Sequence, residues 1–392
     1  MKIAHVGDIH WGLNYPGPAP DSRFNDISQN MDWVANRIIE EHCNLVLFAG
    51  DMFKDARVFI DRASVEIKAA TAWLRKLTGV GIKVIAISGT PSHDAVSAYH
   101  ILQEMQIPGV TIYTTPEIVR YIDPTQGTTI SITCVPGMNR GNLVTQDEYR
   151  TLPPHAIHQI MTDKITQTCQ GLLGHSNNPS ILLAHLSYDM ADKGFEDALM
   201  QHEPVLTKEA INGFDLVCLG HIHRPQQNGK VFYCGGPERL SFNDEEITPG
   251  FWIYTINHFN DIMADFIETP ARKFVSAEWE EMFVERFINE GVKPGPGFQD
   301  AVVRLKCICP EDMAKRLDRK ALERALYDAG AYYVHEIKVD VQRVDRARDQ
   351  EVTGSIGPVE ALARWAQQRE IDPEEAAALQ DMTARLLEEV AA

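Results

Sequence analysis

The sequence predicts an α/β protein built on parallel strands, and three observations support this fold class. Short apolar segments alternate with segments of helical periodicity through the first third of the chain. The apolar segments end in polar residues, mainly Asp and His. The chain has 392 residues, of which 44% are hydrophobic, so it is long enough to bury more than one apolar core.

The first elements follow from apolar spacing. Residues 2–7 are predicted to form a strand, and the helical spacing of Ile27, Met31 and Val34 predicts a helix after it. The continuous apolar run NLVLFAG then predicts a second buried strand that ends at Asp51. A helix at 65–78 and a strand at 83–89 repeat the unit. Because such units build parallel sheets, we expect the polar strand ends to meet at one edge.

Further strands are predicted in the following part of the chain. They cover residues 129–135, 181–185, 215–219, 230–234 and 251–256. The mixed sheet is therefore expected to extend to about residue 268, which sets the first predicted domain at 1–268.

The pattern changes after residue 268. A Pro- and Gly-rich segment at 292–297 precedes a strand, a helix predicted over 311–328 and another strand, so a small α/β domain is predicted at 269–346. A polar linker and two amphipathic helical segments fill residues 347–392. Such a pair is suited to docking on a partner, and packing back on its own domain is the alternative.

Charge and composition exclude some classes of protein. The chain has 37 basic and 55 acidic residues and a net charge of −18, which argues against a basic protein that coats DNA. Bound divalent cations would still make a positive site. The sequence has no apolar run of ~20 residues and no secretory signal, so we expect no membrane span and a cytoplasmic location. The seven scattered cysteines are expected to be reduced thiols.

Four short motifs at predicted strand ends carry metal-ligating and acid-base side chains. They are GDIH with Asp8 and His10, AGDMF with Asp51, SGTPSHD with His93 and Asp94, and LGHIH with His221 and His223, and His185 precedes the last of them. Carboxylates and neutral imidazoles suit Mn²⁺, Fe²⁺ or Zn²⁺. A carboxylate between two such ions, for which Asp51 is the candidate, would bridge them and help activate a water for attack on phosphorus.

The order of these motifs resembles the calcineurin-like metallophosphoesterases. The segments GDIHWG, LVLFAGDMF, LGHIHRPQ and FYCGGPERLSF are similar to the SbcD-type nuclease branch of that family. The resemblance implies a four-layer α-β-β-α sandwich, a DNA-binding capping domain at 269–346 and a docking segment at 347–392. It also implies a homodimeric nuclease with 3′–5′ exonuclease and possible endonuclease action on double- and single-stranded DNA. Its implied partner in double-strand-break repair is an SbcC-type coiled-coil ATPase.

The resemblance implies a role for each motif residue. Two Mn²⁺ ions are expected, with Mg²⁺, Fe²⁺ or Zn²⁺ as alternatives. The first ion would be held by Asp8, His10, Asp51 and His223, and the second by Asp51, His185 and His221. His93 would donate a proton to the leaving 3′ oxygen or stabilise the charge that builds on the phosphate, and Asp94 would orient the His93 ring.

One position departs from the family pattern. The asparagine that should help hold the second ion is Ser92 in this sequence. A serine hydroxyl reaches less far and binds metal more weakly than an amide oxygen. Ser92 is therefore expected to be a weak ligand, and a water or Thr90 could take its place.

Two other functions remain open at this stage. The chain could be a phosphodiesterase or phosphatase that acts on small nucleotides, or a degenerate phosphoesterase that serves as a scaffold. About 120 residues beyond the catalytic domain favour a nuclease that grips DNA and docks on an ATPase. The nearly complete set of metal ligands argues against the scaffold.

Overall fold

A computed structural model describes residues 1–55, 64–92, 94–139, 141, 152–174, 178–194, 203–257, 261–342 and 357–391. The chain divides into two compact units. The larger unit contains residues 1–278, 292–306 and 318–338, and the smaller contains 279–291, 307–317 and 339–392. The three predicted domains, with their boundaries at 268 and 346, stay predictions.

The strands are numbered in chain order. They are β1 (Lys2–Val6), β2 (Leu45–Phe48), β3 (Lys83–Ile87), β4 (Val110–Tyr113), β5 (Glu117–Ile122), β6 (Thr129–Val135), β7 (Ser180–His185), β8 (Ser187–Tyr188), β9 (Val205–Leu206), β10 (Leu216–Gly220), β11 (Gln226–Asn228), β12 (Val231–Tyr233), β13 (Gly250–Ile256), β14 (Ile262–Glu268), β15 (Lys273–Trp279), β16 (Ala301–Cys309) and β17 (Tyr333–Val341). The helices are α1 (Ser22–Glu40), α2 (Ser64–Thr78), α3 (Val96–Glu104), α4 (Pro154–Gly171), α5 (Glu281–Glu290), α6 (Glu311–Arg316), α7 (Arg319–Asp328), α8 (Pro358–Gln368) and α9 (Pro373–Ala391).

Two six-stranded sheets organise the larger unit. The first has the strand order β14-β13-β1-β2-β3-β4, and the second has the order β11-β12-β10-β7-β6-β5. Strands β1 to β4 pair in parallel, as do β6, β7, β10 and β12. The antiparallel strand β13 extends the first sheet beside β1. The parallel strands predicted from the first third of the chain are thus confirmed.

The apolar cores show how the layers stack. Ile3 and Leu47 of the first sheet belong to the same buried cluster as Ile132 and Leu183 of the second, so the two sheets face each other. The opposite face of the first sheet packs with α1, α2 and α3, and that of the second sheet packs with α4. The predicted four-layer α-β-β-α fold is confirmed, because each sheet buries one face on the other sheet and one on helices.

A three-stranded sheet with the order β15-β16-β17 follows in the chain. The single helix predicted over 311–328 is wrong, because two helices, α6 and α7, occupy that segment. The carboxylate of Asp318 accepts hydrogen bonds from the backbone N–H groups of Lys320 and Ala321, which makes it the N-cap of a new helix. The helical periodicity of the sequence continues across this break and conceals it.

The two C-terminal helical segments form α8 and α9, close to their predicted limits. Within the described ranges, no helix combines the length and apolar character needed to cross a bilayer. All seven cysteines are buried and none forms a disulfide.

Candidate metal centre

The candidate centre forms where the parallel strands of both sheets end. In the first sheet, Val6 of β1 lies opposite Phe48 of β2, so the two strands end at the same level. In the second sheet, His185 at the end of β7 lies opposite Gly220 at the end of β10. The loops that begin at these ends carry Asp8, Asp51 and His221. The motifs are far apart in sequence, and the strand register brings them to one edge.

The backbone turns sharply at these strand ends. The φ angle is +52° at Asp8, +54° at His10, +51° at Asp51 and +96° at His221. Positive φ is uncommon for residues other than glycine, although Asp and His adopt it more readily than most. The turns at these four residues therefore store backbone strain at the centre.

Two groups of donor atoms result. The first contains Asp8, His10 and His223, and the second contains Asp8, Asp51 and His185, with the donor atoms of each group within 4.8 Å of one another. All of these residues are buried except the partly exposed His223. Asp8 belongs to both groups. The predicted residues are thus brought together, although His221 falls in neither group.

The carboxylate of Asp51 lies between histidines of the two groups. Its Oδ1 is 3.2 Å from Nε2 of His185, and its Oδ2 is 3.5 Å from Nε2 of His10. The backbone N–H of Thr90 donates a 3.0 Å hydrogen bond to Oδ1 and helps to fix the carboxylate. Each oxygen therefore faces a different histidine, which is the arrangement that a bridging ligand requires.

The contacts of the buried imidazoles indicate whether the centre fits metal ions. Nδ1 of His185 donates to the carbonyl oxygen of Ala49 at 2.6 Å, which directs Nε2 toward Asp51. The Nε2 atoms of His185 and His221 are buried, and each lies near a carboxylate oxygen, of Asp51 at 3.2 Å and of Glu203 at 2.7 Å, without the alignment of a good hydrogen bond. A buried nitrogen left in this way is costly unless a cation satisfies it. The donor set, made of carboxylates and imidazoles, fits divalent cations.

The local field also favours a cation. Burial lowers the pKa of His185, but the carboxylates of Asp51 and Asp8 outweigh it and raise the pKa to about 9. Burial raises the pKa of Asp8, and the nearby Asp51 adds to that effect. Asp8 also accepts the backbone N–H of His221 at 2.9 Å. Two buried carboxylates so close together are stabilised by positive charge.

Asp244, a residue that the sequence interpretation missed, lies beside the ring of His223. Nε2 of His223 lies 3.3 Å from Nε2 of His10, and Nδ1 of His223 lies 3.7 Å from the carboxylate of Asp244. Burial would raise the pKa of Asp244, but His223 and the backbone N–H groups of Leu240 and Ser241 lower it overall. A carboxylate behind a ligating histidine orients the ring.

Asp94 is fully buried, but its described partners differ from the predicted one. Its carboxylate accepts hydrogen bonds from the N–H groups of Gly89 and Phe53 and from the hydroxyl of Tyr99. Burial, together with Asp51, raises its pKa to about 7. His93 lies outside the described residues, so the predicted contact between Asp94 and His93 stays a prediction.

Ser92 and Thr90 both lie in the loop after β3, but they differ in exposure. Ser92 is exposed, whereas Thr90 is buried with its Oγ1 3.4 Å from Nδ1 of His221. On the other side of the same ring, the carboxylate of Glu203 lies 2.7 Å from Nε2. Glu203 was also missed, because it lies in the polar segment QHEPVL with no strand-end motif to mark it.

Comparison with known proteins identifies the fold family. A profile of the calcineurin-like phosphoesterases matches residues 1–225. The chain belongs to the calcineurin-like phosphoesterase family. The matched residues include every member of the two donor groups. This calcineurin-like phosphoesterase is therefore assigned as a hydrolase of phosphate esters, in a family that uses divalent metals.

Two curated relatives of this phosphoesterase are named DNA double-strand break repair protein Mre11. The protein from Aeropyrum pernix is 26% identical over 230 residues, which are 57% of this chain and 49% of the relative. The protein from Archaeoglobus fulgidus is 28% identical over 109 residues, which are 27% of this chain and 23% of the relative. The chain thus spans about half the length of the first relative and about a quarter of the second.

Among solved structures, this phosphoesterase is similar to GAP50, the anchor in the inner membrane complex of Plasmodium. The TM-score is 0.40 at 12% identity, over 68% of this chain and 84% of GAP50. A likeness at this level does not bear on function.

Proposed function

We propose that this phosphoesterase is a two-metal DNA nuclease that hydrolyses phosphodiester bonds at DNA ends during repair. The observation that carries the proposal is the position of the Asp51 carboxylate, whose two oxygens face His185 and His10 at 3.2 and 3.5 Å. A carboxylate whose two oxygens face histidines of different donor groups is suited to a pair of ions rather than to one. The similarity to the two Mre11 proteins supports DNA as the substrate.

The chain's own residues have distinct roles in this proposal. Asp8, His10 and His223 would hold one Mn²⁺ with Asp51, and Asp51, His185 and His221 would hold the other. Two such ions activate water and neutralise charge on a phosphodiester. Asp51 fixes the spacing of the two groups, and Asp244 orients His223. His93 is proposed to donate a proton to the leaving 3′ oxygen.

An aromatic cluster with one exposed ring, that of Tyr15, supports a nucleic acid substrate. The Tyr15 side chain is 58% exposed, and its hydroxyl lies 2.7 Å from Nδ1 of His335. The His335 ring is 5.3 Å from Phe242, and the guanidinium of Arg304 lies 4.5 Å above the Phe242 ring. Phe242 is two residues from Asp244, which contacts His223. A base can stack on an exposed ring such as that of Tyr15, and arginine attracts the phosphate backbone.

The partner and the assembly are also part of the proposal. In α8 and α9, Trp365, Met382 and Leu386 have exposed side chains. They are suited to docking on an SbcC-type coiled-coil ATPase. The proposed active form is a cytoplasmic homodimer, with the segment 269–346 as a DNA-binding cap. Its proposed activity is 3′–5′ exonuclease with endonuclease action.

The test compares DNA with a generic diester. Wild type, Asp51→Asn and the surface control Glu40→Gln are assayed with Mn²⁺, Mg²⁺ or EDTA on linear duplex DNA, single-stranded DNA and bis-p-nitrophenyl phosphate. Duplexes blocked at either 3′ or 5′ ends report polarity. We expect Mn²⁺-dependent DNA cleavage in wild type and control, and loss of at least 100-fold in Asp51→Asn.

Other outcomes would contradict the proposal in different ways. Hydrolysis of the small diester without DNA cleavage would indicate a nucleotide phosphodiesterase. Wild-type rates in Asp51→Asn would remove the two-metal mechanism. Metal binding without activity on any substrate, even with an added ATPase partner, would indicate a scaffold.

A further inference from the structure

A cavity of about 480 Å³ lies beside α1 in the larger unit, and the residues that line it are not members of the metal-binding donor groups. Its walls include Asp26, Asn30 and Trp33 of α1, Glu238, and the segment 270–273. The three residues of α1 are spaced three or four apart, so they share one face of the helix. Sites for small molecules have volumes of ~300–1,000 Å³. The cavity is therefore large enough for a ligand of nucleotide size.

The acidic side chains at the cavity are already paired with arginines. Asp26 binds Arg23 at 2.7 Å and Arg272 at 2.6 Å, and Arg272 also binds Asp300 at 2.6 Å. Glu238 lies 3.4 Å from Arg23 and accepts the backbone N–H of Arg272 at 3.1 Å. The two arginines offset most of the negative charge. The cavity is therefore poorly suited to a metal ion and can accept a ligand with an anionic group.

The Asn30 side chain has one buried acceptor that is not satisfied. Its Nδ2 donates to the carbonyl oxygen of Pro237 at 2.5 Å and to the carboxylate of Glu238 at 3.3 Å, which fixes the orientation of the amide. Asn30 is only 3% exposed, and its Oδ1 accepts no hydrogen bond from the described residues. A buried acceptor without a donor is costly. An N–H group of a ligand in the cavity would supply the donor.

Trp33 and Lys273 offer two further contacts to a ligand. The Trp33 ring is partly buried and packs against the core of the first sheet, which holds it in place. A planar aromatic group can stack on the part of the indole that stays exposed. Lys273 is exposed, and within the described part of the chain its ammonium has no ion pair. Such an ammonium is suited to a phosphate group.

We propose that the cavity binds a deoxynucleoside 5′-monophosphate whose base carries an exocyclic amino group. The base would stack on Trp33, its amino group would donate to Oδ1 of Asn30, and the phosphate would bind Lys273. Adenine, cytosine and guanine have this amino group, whereas thymine does not. Binding requires neither metal nor catalysis. An exonuclease releases such nucleotides from DNA, so a role for the cavity in holding the reaction product rests on the function proposed above.

The test is titration calorimetry of the full chain in EDTA. The probes are dAMP, dTMP, deoxyadenosine, inorganic phosphate and a single-stranded oligodeoxyadenylate. The variants are Trp33→Ala, Trp33→Phe, Asn30→Ala and Lys273→Ala. Lys208→Ala is the control, because Lys208 is exposed and does not line the cavity. Urea unfolding curves verify that each variant folds.

We expect wild type and Lys208→Ala to bind dAMP at least about fivefold more tightly than dTMP, since thymine has no amino group to donate to Asn30. Asn30→Ala should bind the two nucleotides equally. Trp33→Ala should bind dAMP at least about fivefold more weakly through the loss of stacking, and Trp33→Phe should keep most of the affinity. Lys273→Ala should weaken dAMP binding about tenfold and leave deoxyadenosine binding unchanged, because only the nucleotide has a phosphate.

Several results would overturn the inference. They are the absence of dAMP binding in wild type, equal binding of dAMP and dTMP, and dAMP affinity that Trp33→Ala and Lys273→Ala leave unchanged. Equal affinity for inorganic phosphate and dAMP would also overturn it, because the base would then not be recognised. Binding of the oligonucleotide alone would overturn it in favour of a path for a DNA strand.

The failure of the inference is distinct from that of the proposed function. DNA cleavage by a protein that does not bind dAMP would remove the nucleotide site alone. A protein that binds dAMP in EDTA but does not cleave DNA would remove the nuclease proposal alone. Loss of dAMP binding in Asp51→Asn would place the nucleotide at the metal centre and overturn the assignment to the cavity.

Discussion

The carboxylate of Asp94 joins three segments of the chain. It accepts the N–H of Gly89 at 2.7 Å, the hydroxyl of Tyr99 at 2.6 Å and the N–H of Phe53 at 3.1 Å. The Tyr99 hydroxyl in turn accepts the N–H of Met52 at 3.0 Å. Asp94 thereby fixes the loops after β2 and β3, which carry Asp51 and Thr90. It is a positioning residue for the metal centre.

Replacing Asp94 should therefore reduce stability. Asp94→Asn keeps the shape of the side chain, but its NH₂ group cannot accept a hydrogen bond, so at least one buried donor loses its partner. We expect a loss of about 1–3 kcal/mol in the free energy of unfolding, measured by urea denaturation. The exposed control Asp32→Asn should stay within about 0.5 kcal/mol of wild type. Equal unfolding midpoints for both variants would contradict this role.

Motifs at strand ends made most of the centre predictable. Asp8, His10, Asp51, His185 and His223 each follow or end an apolar strand, so the sequence shows where they meet. Glu203 and Asp244 could not be found in this way. They approach from loops whose positions depend on how the second sheet packs, and no periodicity in the sequence reports that packing.

At the scale of elements, the first residues after β3 leave no space beside Asp51. A Cβ added to Gly89 would lie 1.8 Å from Oδ1 of Asp51 and 2.4 Å from its backbone nitrogen. Both contacts are far inside van der Waals distance, and one involves rigid backbone. The close approach of the β2 and β3 loops therefore requires glycine.

We expect Gly89→Ala to displace Asp51. The variant should lose at least ~2 kcal/mol of unfolding free energy and bind Mn²⁺ at least tenfold more weakly, because the bridging carboxylate must move. Gly171→Ala is a matched control, since a Cβ there meets nothing within 4 Å. Calorimetric unfolding and Mn²⁺ titration measure both effects. A Gly89→Ala protein with wild-type Mn²⁺ affinity would contradict the packing argument.

The aromatic cluster of Tyr15, Phe242 and His335 gives a prediction about substrate. Tyr15→Ala should weaken binding of single-stranded DNA by about 1–3 kcal/mol, because one base loses its stacking partner. Hydrolysis of bis-p-nitrophenyl phosphate should change far less, since that small diester has no polynucleotide strand to lie across Tyr15. Fluorescence anisotropy with labelled oligonucleotides measures the binding. Equal loss on both substrates would indicate that Tyr15 supports the metal centre instead.

At the scale of the whole molecule, a buried charge network joins α1 to the segment before β15. Arg23 is fully buried and pairs with Asp26 at 2.7 Å and with Glu238 at 3.4 Å. Arg272 binds Asp26 at 2.6 Å and donates its backbone N–H to Glu238 at 3.1 Å. Burial raises the pKa of Glu238 to about 7 although Arg23 opposes the shift.

This pKa makes stability depend on pH. Glu238 has a folded-state pKa of about 7 against 4.5 in the unfolded chain, so the folded state binds more protons between these values. Its contribution to stability is therefore fully present below about pH 4.5 and is lost as pH rises to about 7. Glu238→Gln should become more stable relative to wild type by up to about 3 kcal/mol between pH 4.5 and 8.

Urea unfolding at pH 4.5, 6 and 8 measures the difference between Glu238→Gln and wild type. Glu66→Gln, a change at a partly exposed carboxylate on α2, is the control for the substitution itself. A difference that stays constant for Glu238→Gln would mean that the folded Glu238 titrates near its ordinary pKa.

The overall fold was largely predictable because buried parallel strands leave continuous apolar runs. Strands β1, β2, β3, β6, β7 and β10 lie close to the predicted limits. Short strands such as β8, β9 and β11 were missed, since two or three residues carry no periodicity. The break between α6 and α7 was missed because Asp318 caps a helix inside a pattern that stays periodic.

The strained turns of the metal centre hold the ligands needed for activity, and they lower thermal stability. At His10, where φ is +54°, glycine would adopt the backbone angle without the penalty of about 1 kcal/mol that other residues meet there. A directed-evolution experiment that rewards survival at high temperature and ignores catalysis should therefore enrich glycine over alanine at position 10. Each such clone would encode a more heat-stable protein with one metal ligand fewer. Under selection for thermal stability alone, this protein would therefore lose its catalytic activity first.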